Sequence, residues 1–226
     1  MGFKLDKIIP WGRSINEYIG MFHLTPDELN LAILDCGGGP ASFNAQMTHR
    51  GYKVISCDPI YQFSADEIAG RIQETYQTVI DGVKANSANY VWQNIESAEQ
   101  MGKIRMEAMN HFLDDFPLGL SQGRYVLDEL PNLSFNDRQF DLALVSHLLF
   151  TYTDHLSIEF HINSILELCR VAKEVRIFPL LNVSGEQSSL LLQVIEKLQQ
   201  DGYKVETQQV NYEFQKGGNK LLSVRL

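Results

Sequence analysis

The sequence has no run of eighteen apolar residues, no charged and then apolar leader, and only three cysteines among its 226 residues. Without such a run no membrane-spanning helix is expected, and without a leader the chain is predicted to stay in the cytoplasm. Cys36, Cys57 and Cys169 lie within apolar segments rather than at paired metal-ligand spacing. They are therefore interpreted as small buried hydrophobes in a reducing compartment, and no metal site is expected from them.

Positive charge is also scarce. The chain has 19 lysines and arginines against 28 aspartates and glutamates, for a formal net charge of −9. Nucleic-acid binding gains its affinity by neutralising phosphates, so a nucleic-acid partner is not expected. A hydrophobic content of 44% is enough for one substantial core, and we predict a single domain over residues 1–226.

The turn Gly37-Gly38-Gly39 follows the first apolar segment, Ala32–Cys36. Glycine permits backbone angles and close approaches that a side chain would block. A second apolar segment, Lys53–Cys57, runs into Asp58, which follows Gly37 by 21 residues. That spacing is typical of the acid that binds a ribose hydroxyl in a nucleotide-binding βαβ unit, so we predict an adenosine-containing cofactor.

The residues around this turn favour S-adenosylmethionine over a dinucleotide. A dinucleotide site uses three glycines, spaced G-x-G-x-x-G beneath a pyrophosphate, and here Ser42 takes the third position. Asp35, two residues before the first glycine, would repel a pyrophosphate but could accept hydrogen bonds from an amino group. S-adenosylmethionine carries an ammonium and a sulfonium and no phosphate, so it is the predicted cofactor.

Three motifs in order resemble those of class I S-adenosylmethionine-dependent methyltransferases. Asp35-Cys36-Gly37-Gly38-Gly39 is similar to the family's D/E-x-G-x-G, and Asp58 to its acid after strand two. Leu133-Ser134-Phe135-Asn136-Asp137-Arg138-Gln139-Phe140-Asp141-Leu142 resembles the family's L-P-F-x-D-x-x-F-D-x-V segment before strand four. The resemblance runs from about residue 30 to the C-terminus. It departs from the family at Ser134, where proline is usual, at the missing third glycine, and at the short turn Ala172-Lys173-Glu174 before strand five.

The resemblance implies an α/β, Rossmann-like fold with a seven-stranded, mostly parallel sheet and an antiparallel last strand. The chain order agrees, because apolar segments of strand length alternate with segments of helical periodicity. The predicted strands are Ala32–Cys36, Lys53–Cys57, Arg124–Leu127, Phe140–Ser146, Glu174–Pro179, Tyr203–Val210 and Leu221–Leu226. The predicted helices of the main domain are Ser14–Phe22, a short one from Thr25, Ala41–His49, Ile158–Val171 and Ser188–Asp201.

Two helical additions are predicted: an N-terminal helical cap in residues 1–30 and an insertion in residues 62–122 between strands two and three. The insertion is expected to hold one helix that opens with a capping box at Ser64 and reaches Ala85, and a second over Asn94–Phe116. In an open parallel sheet, ligands bind at the carboxyl ends of the strands. Two interpretations stay open: the insertion covers the cofactor and shapes the acceptor pocket, or it only thickens the flank of the sheet.

The resemblance also implies site residues. The cofactor-binding candidates are Arg13 for the carboxylate, Asp35 for the aminoacyl end, Gly37, Gly38 and Gly39 for the close approach, Asp58 for the ribose, Pro59 for an adenine face, Glu129 and Leu130 for the adenine, and Ser146 beside the methyl group. His147 is the catalytic candidate, as a general base with a pKa near neutrality, and the alternative is a hydrogen-bonded histidine that only lines the pocket. Arg13 and Glu129 also remain open as ordinary surface residues.

The predicted function is methyl transfer from S-adenosylmethionine to a small-molecule acceptor. Two alternatives stay open: a non-catalytic protein that binds the cofactor, and an NAD(P)-dependent oxidoreductase, although a dinucleotide fold would continue as βαβ to its end. His147, His155 and His161 with nearby acids suggest a metal cluster, but positions 155 and 161 face different sides of a helix. Asp58-Pro59-Ile60-Tyr61 resembles the D-P-P-Y signature of base-modifying methyltransferases but follows the wrong strand for that role.

Overall fold

The computed structural model describes residues 9–226, which form one mixed sheet in the strand order β3-β2-β1-β4-β5-β7-β6. The strands are β1 Ile33–Cys36, β2 Val54–Cys57, β3 Tyr125–Val126, β4 Phe140–Ser146, β5 Ala172–Phe178, β6 Lys204–Gln209 and β7 Lys220–Arg225. The strands from β3 to β5 in this order pair in parallel, and β7 runs antiparallel to both β5 and β6. The predicted seven-stranded, mostly parallel sheet with an antiparallel last strand is confirmed.

The register of the central strands creates one functional edge. Every residue of β1 is buried, as expected for a parallel strand covered by helices on both faces. Cys36, the last residue of β1, lies opposite Cys57 of β2 and Val145 of β4. The segments that follow these three strands therefore emerge side by side. They are the glycine turn, the Asp58 segment and the Ser146-His147 pair.

Helices cover the sheet and account for the two predicted additions. They are α1 Ile15–Phe22, α2 Phe43–His49, α3 Ala65–Ala85, α4 Ala98–Ser121, α5 Ile158–Val171 and α6 Leu191–Gln200. The helix predicted from Thr25 is a 3-10 turn, Glu28–Asn30. The first eight residues of the predicted N-terminal cap lie outside the described residues. None of the helices in residues 9–226 is long and apolar enough to cross a membrane.

The predicted range Asn94–Phe116 for the second insertion helix is wrong at both ends, since the helix spans Ala98–Ser121. It starts later because the Ser97 hydroxyl caps it, accepting a hydrogen bond from the N–H of the third helical residue at 3.1 Å. It continues past Pro117 because its last turn packs tightly on β3. A Cβ at Gly119 would lie 2.3 Å from the β3 tyrosine ring.

Strand β5 begins at Ala172, two residues before the predicted start, because α5 ends at Val171 and runs directly into the strand. Ala172 pairs with Phe140 at the start of β4, so the first residue after the helix already belongs to the sheet. The strand ends at Phe178 rather than at Pro179. The short connection is therefore a consequence of early strand pairing.

The insertion helices α3 and α4 pack on each other, and α4 also contacts α2 and β3. An aromatic cluster fixes them to this flank: the Phe112 ring centroid lies 5.0 Å from that of Phe116, 5.3 Å from Tyr125 and 6.0 Å from Tyr61. Phe112 has no exposed surface. The insertion is thus joined to the core of the fold through this aromatic cluster.

Candidate functional site

A cavity of about 540 Å³ opens at the carboxyl edge of the sheet. Its volume falls in the range of about 300–1,000 Å³ that is typical of small-molecule sites. The sequence-predicted residues on its wall are Arg13, Gly37, Gly38, Gly39, Asp58, Pro59, Glu129, Leu130, Ser146 and His147. The fold therefore brings together every predicted site residue except Asp35.

The glycine turn forms the floor of the cavity. The N–H groups of Gly37 and Gly38 both donate to the Cys57 carbonyl, at 2.8 and 3.3 Å, which holds the turn against the end of β2. Gly37 has a φ of 69°, and a Cβ there would lie 2.7 Å from the side chain of Leu148. A Cβ on Gly38 would lie 2.4 Å from a carboxylate oxygen of Asp35. Side chains are therefore excluded at Gly37 and Gly38 by their immediate surroundings.

Asp35 lies beneath this turn, so the prediction that it contacts the aminoacyl end of the cofactor needs correction. Its side chain is 1% exposed and does not line the cavity. One carboxylate oxygen accepts from the Tyr18 hydroxyl and the other from the Ser56 hydroxyl, both at 2.9 Å. Burial raises the pKa of Asp35 to about 7, although the hydrogen bonds from Ser56 and Tyr18 lower it. The negative charge of Asp58 raises this pKa further. Asp35 supports the turn from behind.

Asp58 does line the cavity, and its carboxylate is fixed by the backbone. Oδ2 accepts from the N–H of Gly39 at 2.9 Å, and Oδ1 accepts from the N–H of Ile60 at 2.8 Å. Burial raises its pKa, while these two hydrogen bonds favour the ionised form. A carboxylate oxygen can accept more than one hydrogen bond, so each oxygen keeps capacity for a ribose hydroxyl.

Arg13 lies on the cavity wall without a carboxylate partner among the described residues. Its backbone is fixed to the segment after the glycine turn, because the Arg13 carbonyl accepts from the N–H of Ser42 at 3.0 Å. Nη1 donates to the Trp11 carbonyl at 3.1 Å, and the buried Nε has no partner. Burial and then the charge of Arg105 lower the pKa of Arg13 to about 10. It is still a cation at neutral pH.

A buried ion pair that the sequence analysis missed completes this wall. Arg105 of α4 is 1% exposed, donates to the carboxylate of Glu17 from α1, and lies 3.4 Å from the Tyr212 hydroxyl. Burial opposes ionisation of Glu17, but the charges of Arg105 and Arg13 prevail and hold its pKa below the usual value. A sequence signal existed: Arg105 interrupts the apolar helical stripe that contains Met101 and Met109.

Ser146, the last residue of β4, and His147 directly after it lie on the cavity wall. The Ser146 hydroxyl is 3.0 Å from Nδ1 of His147. His147 has a φ of 53°, a left-handed conformation that is uncommon outside glycine and concentrated at functional sites. Burial, and then the charges of Arg13 and Arg105, lower the pKa of His147 well below its usual value. The predicted near-neutral pKa is therefore wrong, and His147 is a neutral imidazole at neutral pH.

Of the two acids after β3, Asp128 is hydrogen-bonded and Glu129 is exposed on the cavity rim. Asp128 accepts from both the N–H and the hydroxyl of Ser134, each at 2.7 Å. These bonds explain why serine stands where the family usually has proline, since proline has no N–H to donate. Glu129 is exposed on the rim of the cavity, and its carboxylate has no ion-pair partner within residues 9–226. Leu130 beside it is buried in the wall.

Apolar and aromatic residues from the insertion, the β4–α5 connection, α5 and the segment before β7 line a large part of the cavity, which we term the apolar chamber: Ile9, Val79, Val83, Tyr90, Met101, Tyr152, Leu156, Phe160 and Phe214. Its far side is a seam between the insertion and the segment before β7. The N–H of Val91 donates to the Phe214 carbonyl at 2.7 Å, and that of Lys216 to the Asn89 carbonyl at 2.9 Å. The insertion therefore both covers the flank of the sheet and builds one wall of the chamber.

The histidines after His147 do not converge. His161 is fully buried, with Nδ1 2.8 Å from the Ser157 carbonyl and Nε2 3.0 Å from the Leu149 carbonyl, so both ring nitrogens are occupied by the backbone. Across residues 9–226 no group of three or more histidines, cysteines or acids is placed to hold a metal ion.

Comparison with known proteins gives one relative across the whole chain. No family model matches. The uncharacterised protein MJ0045 of Methanocaldococcus jannaschii is 34% identical over 225 residues, which cover 98% of each of the two chains. Identity of that level over nearly the full length shows a common family.

Solved structures resemble the fold at low sequence identity. The mitomycin 7-O-methyltransferase MmcR superposes with a TM-score of 0.50 at 10% identity, over 93% of this chain and 53% of its own. The magnesium protoporphyrin IX methyltransferase of Synechocystis PCC 6803, solved with bound S-adenosylmethionine, gives a TM-score of 0.44 at 15% identity, over 88% and 72%. The full-length relative shows that the chain belongs to the family of MJ0045. The sheet order and the superposition on MmcR show that it has the fold of class I S-adenosylmethionine-dependent methyltransferases.

Proposed function

We propose that the protein binds S-adenosylmethionine in the cavity and transfers its methyl group to a small-molecule acceptor held in the apolar chamber. One observation carries the proposal: an anchored carboxylate, and an arginine without a carboxylate partner among the described residues, line the same cavity beside the glycine turn. Asp58 accepts from the N–H of Gly39 in the turn, and the Arg13 carbonyl accepts from the N–H of Ser42 just after it. S-adenosylmethionine has a ribose diol at one end and a carboxylate at the other.

The residues present fit this cofactor. Asp58 would accept hydrogen bonds from both ribose hydroxyls, because the backbone already fixes its two oxygens. Arg13 would bind the carboxylate as a charge-assisted pair, which would also satisfy a buried guanidinium. Glu129 would accept from the adenine amino group, and Pro59 and Leu130 would contact the ring. When bound, S-adenosylmethionine supplies an electrophilic methyl group on a sulfonium.

Two features support transfer over the alternatives. The sheet ends in the antiparallel pair β6 and β7, where a dinucleotide fold would continue as βαβ. The cavity extends past the cofactor residues into the apolar chamber, which a protein that only binds the cofactor would not need. Methyl transfer from a sulfonium depends mainly on alignment of the acceptor, so the neutral His147 is compatible with it. His147 and Ser146 would position the acceptor.

Calorimetric titration with S-adenosylhomocysteine, 5′-methylthioadenosine and NAD tests the proposal. The first two share adenine and ribose, and only the first has an amino-acid end. We expect Asp58→Asn to weaken binding of both, and Arg13→Met to weaken S-adenosylhomocysteine alone. A charge-assisted hydrogen bond contributes about 1.5–3 kcal/mol, so each loss should be about tenfold or more.

The control variants carry the same chemical changes at exposed positions. Asp114→Asn on α4 and Arg50→Met at the end of α2 should leave both affinities within about twofold of the wild type. Binding of NAD without S-adenosylhomocysteine would contradict the proposal, and so would equal effects of site and control variants. Loss of both ligands in Arg13→Met would remove the assignment of Arg13 to the carboxylate.

A further inference from the structure

We propose, on the basis of the proposed function, that the methyl acceptor is a ring-containing acid, such as a phenol or an enol, and that it binds in the apolar chamber as its anion. The geometry places two arginines on the wall of a cavity whose other side chains are mostly apolar and aromatic. The nucleophile would then be the charged oxygen of the acceptor itself. This assigns both a substrate class and an ionisation state to the chamber.

The charges around the inner end of the chamber sum to a positive value. Arg13 has no carboxylate partner among the described residues, and Arg105 has one, Glu17. A bound cofactor carboxylate would pair with Arg13, but the same cofactor adds its ammonium and sulfonium. Tyrosines 18, 152 and 212 and His147, on the same side, carry no charge at neutral pH. Asp35, which accepts from the Tyr18 hydroxyl, is only partly ionised because burial raises its pKa to about 7, so it does not cancel the charge of the second arginine. An anion entering the chamber is therefore attracted.

Negative charge is confined to the cofactor end of the cavity. The acids on the described part of the wall are Asp58 after β2 and Asp128 and Glu129 after β3. Asp58 and Asp128 are engaged by the backbone and by Ser134. Arg71, on the outer rim, pairs with exposed Glu74. A cationic amine in the chamber would thus meet two arginines and no free carboxylate.

The chamber walls suit a ring. The Tyr90 and Phe214 rings lie 4.9 Å apart at an interplanar angle of 34°, and Phe214 packs edge-on against Trp92 at 5.7 Å. Val79, Val83 and Met101 from the insertion helices complete the same wall. Flat aromatic surfaces of this kind bind another ring by offset or edge contacts. An acyclic polar acceptor would not make such ring contacts.

His147 is poorly suited to take the acceptor's proton. Burial, and then the charges of Arg13 and Arg105, oppose the formation of an imidazolium at His147. An acid that ionises on entry needs no base, since its proton leaves to the solvent and the arginines stabilise the oxyanion. Electrostatic stabilisation by fixed charges replaces proton transfer to a side chain.

The experiment is a spectroscopic titration of 4-nitrophenol, whose ionised and neutral forms absorb differently, with the full chain. It is run on the protein alone, and on protein saturated with S-adenosylhomocysteine or with sinefungin, which has a cationic amine in place of the sulfonium. We expect the bound phenolate to be favoured at least about tenfold over the phenol, which is a pKa lowered by about one unit. The preference should be larger with sinefungin.

Matched ligands and variants separate charge from packing. 4-Nitroanisole should bind more weakly than the phenolate, and 4-nitrobenzylammonium should not bind. Glu17→Gln keeps a side chain able to form the capping box at the start of α1 and leaves Arg105 uncompensated, so it should strengthen phenolate binding several-fold. Phe214→Ala should weaken all ring ligands equally, while Leu192→Ala on the exposed face of α6 should change nothing.

The outcomes distinguish the two proposals. Tight binding of S-adenosylhomocysteine with a raised or unchanged nitrophenol pKa would overturn the acidic acceptor and leave the cofactor assignment intact. Weaker phenolate binding in Glu17→Gln, or preferred binding of the ammonium probe, would overturn it as well. Phenolate preference in a protein that does not bind S-adenosylhomocysteine would support the charge argument and refute the proposed function.

Discussion

Asp35→Asn should remove a pH dependence from the stability of the fold. Asp35 is a buried carboxyl group whose pKa is raised to about 7 by burial, against a value of 3.8 in an unconstrained chain. Tyr18 and Ser56 donate to it, so the group has hydrogen-bond partners but no cation. Asparagine has a similar shape and cannot ionise.

The magnitude follows from the difference in proton binding between the two states. Between pH values near the unfolded and folded pKa, the unfolded chain has lost a proton that the folded chain keeps, so stability falls as pH rises. The stabilisation is fully present below the unfolded pKa and is lost as pH rises to about 7. A pKa difference of about three units, at about 1.36 kcal/mol per unit, lowers the free energy of unfolding by about 4 kcal/mol. Burial also raises the pKa of Asp58, so its titration makes stability fall with rising pH in the wild type and in Asp35→Asn alike.

Urea unfolding at several pH values between about 4 and 8 measures this difference. The free energy of unfolding of the wild type should decline relative to Asp35→Asn by several kcal/mol across the range. Asp114→Asn, an exposed acid on α4, should instead run parallel to the wild type. If wild type and Asp35→Asn stay parallel within about 1 kcal/mol, Asp35 is ionised in the fold and the argument from burial is refuted.

Two further substitutions test the turn and the β3–β4 loop. Gly38→Ala should lower the melting temperature and abolish cofactor binding, because its Cβ would lie 2.4 Å from a buried carboxylate oxygen. The control is Gly70→Ala on α3, where the space around the Cβ is open, and it should stabilise the fold by about 1 kcal/mol. Ser134→Pro, which restores the residue usual in the resembling family, should destabilise by about 1–2 kcal/mol in urea unfolding, since Asp128 loses two donors. An unchanged urea midpoint for Ser134→Pro would show that the two hydrogen bonds to Asp128 do not stabilise the fold.

The succession of strands and helices along the chain was predictable because local patterns record it. Apolar segments of strand length alternate with segments of helical periodicity, and the first two strands run into glycine and an acid. The errors concern element ends that tertiary contacts decide. Helix α4 passes Pro117 because its last turn packs on β3, and Ala172 joins β5 because Phe140 is in place to pair with it. Neither contact has a signal in the local sequence.

The cofactor end of the site was more predictable than the chamber. Asp58 and the glycine turn belong to one βαβ unit, so their spacing along the chain fixes their spacing in the fold. Asp35 belongs to the same unit, yet the pattern could not show that its side chain points beneath the turn toward Tyr18. Arg105 lies 68 residues after Gly37 in a helix of the insertion, and only three-dimensional packing places it beside Glu17.

The seam on the far side of the apolar chamber is made of main-chain groups, Val91 N–H to the Phe214 carbonyl and Lys216 N–H to the Asn89 carbonyl. A bond between backbone groups places no demand on which side chains flank it. The wall can therefore exchange its residues, and with them the shape and polarity offered to an acceptor, while the glycine turn tolerates almost no change. Engineering of acceptor choice in this chain should begin at the seam.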